Sequence, residues 1–186
     1  MISSLDFLKG TRYENQSDFF KMHTEATEKR FMEELKIDPK NISNTDPKLI
    51  NRLGVCFYGR VYSYSPPNDD ILYDPELSNT IATWGNVSGD ADCFPIACGW
   101  FKIAADKGNA NAMFNLGICY YEGNGDDEPD QDDTDVWRAF YWFGQAAKHG
   151  QKDAIEMLKS RADFNGGKPP DTETDPSGKR WQRYDY

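Results

Sequence analysis

Apolar residues recur at helical spacing in several stretches of the chain, each bounded by helix start or stop signals. Leu49, Leu53, Val55 or Cys56, and Phe57 fall on one stripe. Asp46 and Pro47 just ahead of them supply an N-cap and a proline at the first helical position. Ala112, Leu116, Gly117 and Tyr120 repeat the pattern at i, i+4, i+5 and i+8. Between Ile96 and Lys107, one stripe carries Ala97, Trp100, Phe101, Ala104 and Ala105. Between Val136 and Lys148, Ala139, Trp142, Phe143 and Ala146 do the same. Gly108 and Gly150 follow these two stretches, where a left-handed residue ends a helix. A further helix is expected over residues 17–36, capped by Ser17 or Asp18, with Phe19, Phe20, His23, Ala26, Phe31 and Leu35 partly at helical spacing.

The stretches are copies of one another. Shifting the chain by 42 residues lays Ala97, Trp100, Phe101, Ala104, Ala105 and Gly108 on Ala139, Trp142, Phe143, Ala146, Ala147 and Gly150. Shifting it by 63 lays Leu53-Gly54-Val55-Cys56-Phe57-Tyr58 on Leu116-Gly117-Ile118-Cys119-Tyr120-Tyr121. The two shifts differ by 21 residues, so the first unit holds an insertion of that length, somewhere between Gly59 and Cys93. Small residues at fixed places let helices approach closely, and Trp and Tyr fill the gaps between them. The expected fold is all-α: a short right-handed α/α solenoid of helical hairpins. It has an N-terminal capping region (1–46), repeats over 47–162 with an insertion at 60–92, and a tail at 163–186.

The second unit resembles the Sel1-like repeat, a relative of the tetratricopeptide repeat. Ala112, Leu116, Gly117, Tyr120, Gly123, Gly125, Ala139, Trp142, Ala146, Ala147, Gly150 and Ala154 meet its pattern. The first unit meets it at Leu53, Gly54, Phe57, Ala97, Trp100, Ala104, Ala105, Gly108 and Ala112, and departs from it over Gly59 to Asp92. A third unit starts at Ala154 and Leu158 but has Lys159 where Gly is expected, which implies a terminal cap. The resemblance implies protein binding on the concave face rather than catalysis. One branch of the family bridges its helices with disulfides. Here the second helices lack the partner cysteine, which argues against that branch.

Composition narrows the functional classes. The chain has 186 residues and a formal charge of −10. Residues 1–60 and 136–186 are nearly neutral, whereas residues 61–135 carry a net −13. Such acidity disfavours nucleic-acid binding, which needs a basic footprint. No apolar run is long enough to span a membrane, and Met1 to Gly10 has no secretory pattern. Four cysteines without metal-ligand spacing then read as reduced thiols in a cytoplasmic protein. Phosphate-loop, nucleophile-elbow and zinc-protease motifs are lacking, and neither His23 nor His149 sits in a catalytic signature. The expectation is a non-enzyme with no cofactor and no metal.

The candidate contact residues fall in three groups. The first is the acidic run Asp126, Asp127, Glu128, Asp130, Asp132 and Asp133, continuing to Asp135. It is either a solvated loop or a patch that steers a basic partner. A calcium loop is disfavoured, because the turn glycine is missing and Pro129 interrupts the run. The second is a stripe expected to be exposed on the first helix of each repeat: Asn111, Asn115, Cys119 and Glu122, with Arg52 and Cys56 as counterparts. The third lies in the insertion: Asp69, Asp70, Tyr73 and Trp84. Trp181 and Tyr184 in the tail are expected to dock back onto the array. Two functions compete. One is a bacterial immunity protein or other inhibitor that neutralises a basic toxin or effector domain. The other is a cytosolic adaptor gripping a peptide along its groove.

Overall fold

A computed structural model describes residues 2–10, 14–61, 94–121 and 133–160. The described residues form six α-helices and two short 3-10 turns, with no strand among them. In chain order they are the turn Ser4–Leu8, α1 (Asp18–Leu35), the turn Ile42–Asn44, α2 (Pro47–Val61), α3 (Phe94–Asp106), α4 (Ala110–Tyr121), α5 (Asp133–Lys148) and α6 (Lys152–Ser160). The all-helical expectation holds. α2 pairs with α3, and α4 pairs with α5. These two hairpins are joined through α3 and α4, and α6 packs on α5.

Helix ends follow from local chemistry. Ser17 Oγ accepts the Phe20 N–H at 3.2 Å, so α1 starts at one of its two expected caps. Asp46 Oδ1 accepts the Lys48 N–H at 2.9 Å ahead of Pro47. At the end of α3, Gly108 has φ +84°, and its N–H donates to Ala105 O at 2.8 Å. The Asn109 N–H then donates to Ala104 O at 3.1 Å. This pair of bonds closes the last turn on a left-handed residue that a side chain would strain. Asn109 in turn caps α4, its Oδ1 accepting the Ala112 N–H at 2.8 Å. Gly150 (φ +81°) and Gln151 reproduce the arrangement between α5 and α6, with Gln151 Oε1 accepting the Ala154 N–H at 2.6 Å. One residue thus ends one helix and caps the next, which keeps the turns short.

The hairpins pack through one recurring contact. Phe101 of α3 lies against Gly54 of α2: a Cβ on Gly54 would sit 2.6 Å from the ring. Phe143 of α5 lies against Gly117 of α4 in the same way, at 2.5 Å. The backbone carbonyls of Ala97 and Ala139 approach the same two places at 3.3 and 3.2 Å. The copies seen in the sequence are therefore copies in space, and the glycines are required by the rings facing them.

The N-terminal region packs on the first hairpin through α1 and the Ser4–Leu8 turn. α1 packs on α2, with Phe31 meeting Phe57 edge-on at 5.3 Å between ring centroids. The Ser4–Leu8 turn packs on α3. Phe7 fills the space beside Gly99 and meets Trp100 edge-on at 5.0 Å. Ser4, fully buried, accepts the Trp100 Nε1–H at 3.1 Å and donates its own N–H to Glu28 Oε1 at 3.0 Å. The turn and α1 together cover the face on which a preceding hairpin would stack. Two boundaries differ from the expectation. α2 continues to Val61, two residues into the segment read as insertion, and α5 begins at Asp133, inside the acidic run.

Candidate functional site

The expected exposed stripe on the first helices is not exposed. Asn115 and Cys119 are fully buried on α4, and Cys56 is buried on α2. The reason lies in the position of these helices. α4 is held between α2, α3 and α5, and every residue from Ala112 to Cys119 is buried. α2 is buried continuously from Leu53 to Tyr58. Over two turns of α4, no face remains open to solvent. Asn115 serves the interior instead: its Nδ2 donates to Asn51 Oδ1 at 3.0 Å, joining α4 to α2. Its own Oδ1 is buried without a partner among the described residues. Only Arg52 and Asn111, near the helix starts, keep part of their surface in solvent.

The other candidates stand elsewhere. Asp133 is the first residue of α5. Asp126, Asp127, Glu128, Asp130, Asp132 and Glu122, the insertion residues Asp69, Asp70, Tyr73 and Trp84, and the tail residues Trp181 and Tyr184 lie outside the described residues. The acidic run is nonetheless bracketed by described structure, since it joins Tyr121 at the end of α4 to Asp133 at the start of α5. At that junction Tyr120 and Tyr121 are half-exposed. The Arg138 guanidinium lies 5.8 Å from the Tyr120 ring centroid, a cation–π distance. Sequence reasoning missed Arg138 because it is one basic residue beside an acidic run, and its stacking partner belongs to another helix.

Two further residues were also missed. Glu28 is buried, 7% exposed, on α1. Loss of solvent holds its pKa above the usual 4.5, and Asp6 and Glu25 push the same way against the Ser4 hydrogen bond. The signal that could have revealed the Ser4 turn is Ser3 followed by Asp6: the Asp6 carboxylate accepts the Ser3 N–H at 2.8 Å. His149, read as a helix-end residue, holds Nδ1 2.9 Å from Gln145 O at the end of α5. No helix among the described residues is long and apolar enough to cross a membrane.

Sequential hairpins of this kind, each closed on a small residue and joined through the second helix of one and the first helix of the next, define a helical-repeat array of the solenoid type. The Sel1 repeat family model matches residues 94–109 and 110–151, just under a third of the chain. The first match spans α3, and the second spans α4 and α5 with their connection. No curated protein and no solved structure matches the chain. Sel1 repeats are non-catalytic units that mediate protein–protein interaction.

Proposed function

We propose that this chain is a protein-binding inhibitor that neutralises a basic toxin or effector domain, as an immunity protein does in a bacterial cytoplasm. The contact is made at the junction of α4 and α5 rather than along a groove. The observation that carries this reading is the closure of the inner helices: with residues 53–58 and 112–119 buried, α2 and α4 offer no continuous stripe to a peptide. The electrostatics support it. Seven carboxylates lie in the ten positions from Asp126 to Asp135, five of them between the two helices and two, Asp133 and Asp135, in the first turn of α5. A patch of one sign accelerates encounter with a partner of the other sign. Tyr120, Tyr121 and Arg138 at its base are of the residue types that anchor interfaces. Residues 1–46 serve as cap, 47–162 as the repeat scaffold and 163–186 as an appended tail. The insertion, with Asp69, Asp70, Tyr73 and Trp84, adds a second acidic and aromatic surface to the same partner.

The competing reading is an adaptor in signalling or assembly. Affinity capture from native cells, washed at low and then high salt, separates the two. The inhibitor reading expects one stoichiometric basic partner that is weakened by salt. Several weak partners, or a multi-protein assembly indifferent to salt, would replace it with the adaptor.

A further inference from the structure

α1 carries two apolar stripes, and the first hairpin uses only one of them. Phe20, Phe31 and Met32 are buried beneath the helix. Phe19 and Met22 point the other way, 71% and 61% exposed, the two most exposed large apolar side chains among the described residues. Ala26, also exposed, continues them at i+7, so Phe19, Met22 and Ala26 form one outward stripe. The Phe19 ring is held by His23, stacked on it at 6.0 Å. Asp18, Glu25 and Lys29 are exposed along one edge of the stripe, and Lys21 is half-exposed beyond them.

We propose that this face docks a second copy of the chain, α1 against α1 in antiparallel order, crossing near Met22. The sizes match in that order. Phe19 of each copy meets Ala26 of the other, a large residue on a small one, and the two Met22 side chains meet near the twofold axis. The charges match as well. Residues whose numbers sum to about 46 face one another, which sets Asp18 opposite Lys29 and Lys21 opposite Glu25. A twofold axis repeats each pair, giving four attractive contacts and no like-charge contact along that edge. Lys29 reaches Glu33 only at 3.9 Å and is largely exposed, so it is available to turn toward Asp18 of the second copy. One helix face about 27 Å long covers less than the roughly 800 Å² per partner of a standard interface. The dimer is therefore concentration-dependent.

The test is sedimentation equilibrium of the full chain up to about 1 mM, with circular dichroism to show that each variant stays folded. The mass should rise from that of one chain toward twice it. Phe19→Ser with Met22→Ser should weaken association at least about tenfold. Lys29→Asp alone should weaken it too, and adding Asp18→Lys should restore it, because the swapped charges face each other again only in the antiparallel order. A mass that stays monomeric throughout overturns the proposal. So does a double charge swap no better than the single change. If the Phe19 and Met22 changes instead release a different captured protein from a monomeric chain, the face belongs to that partner and the second-copy assignment falls.

Discussion

Trp100 and Trp142 occupy the same place in successive hairpins yet meet different surroundings. Each is buried, and each has an aromatic ring edge-on at about the same distance: Phe7 at 5.0 Å for Trp100, Tyr141 at 5.1 Å for Trp142. The source of that ring differs. Position 99 is glycine, and Phe7 comes from the N-terminal turn to fill the space; the equivalent position 141 carries its own tyrosine. The indole N–H also differs. Trp100 donates to Ser4, while Trp142 Nε1 is buried with no partner among the described residues. Over Trp142 lies Lys102 of the preceding hairpin, its ammonium 5.4 Å from the ring centroid. Among the described residues the N-terminal turn lies over Trp100 where Lys102 of α3 lies over Trp142. A five-residue turn matched to one glycine and one tryptophan, together with α1, covers this face of the first hairpin.

The largest expected effects test the sameness of the two hairpins. Phe101→Ala and Phe143→Ala should each cost about 3–5 kcal/mol in chemical unfolding, since each ring is fully buried against its glycine. A large effect at one and a small effect at the other would show that the contacts are not equivalent. Gly54→Ala and Gly117→Ala come next, at about 1–3 kcal/mol each, because the added methyl meets ring carbons at 2.5–2.6 Å. Unchanged melting temperatures for both would mean that the rings move aside freely.

The tryptophans then test the difference. Trp100→Phe leaves the buried Ser4 hydroxyl without its donor, whereas Trp142→Phe removes an indole N–H that has no partner among the described residues. Trp100→Phe should therefore be the more destabilising by about 1–2 kcal/mol, and equal losses would remove the distinction. The smallest effect concerns Glu28, which has no counterpart in the second hairpin. Its pKa is raised in the folded chain, so its contribution to stability is fully present below the ordinary value of 4.5 and is lost as pH rises through the raised value. Glu28→Gln keeps an acceptor for the Ser4 N–H and removes the buried charge. The variant should be more stable than the parent at neutral pH, and the advantage should shrink as pH falls toward 4.5. A difference independent of pH would assign the effect to packing instead.

The helices, their caps and the repeat were legible in the sequence because each rests on local chemistry. Gly108 and Gly150 end helices wherever they stand, and a 42-residue self-match needs no knowledge of the fold. The site was less legible. Asn115, Cys119 and Cys56 were placed on an exposed stripe by assuming that one side of the first helix faces solvent. Burial on that side depends on which other segments lie over the helix, and spacing along the helix does not encode that. The Ser4 turn was missed for a related reason. Its worth comes from Trp100 and Glu28, which are 96 and 24 residues away. Phe19 shows the reverse case: it falls at helical spacing along α1, yet it is exposed and the core uses the neighbouring stripe.

The proposed contact lies at the α4–α5 junction rather than along the inner helices. The direct measurement is the association rate of the captured partner at low ionic strength, for two variants beside the parent chain. One neutralises Asp126, Asp127, Asp130 and Asp132 to Asn; the other changes Arg52 and Asn111, the solvent-reaching residues at the starts of the inner helices, to Ala. With contact at the junction, the first variant associates at least about tenfold more slowly and loses most of its salt dependence, while the second matches the parent. Unchanged association in the first variant, with loss in the second, would contradict it and return the contact to the groove.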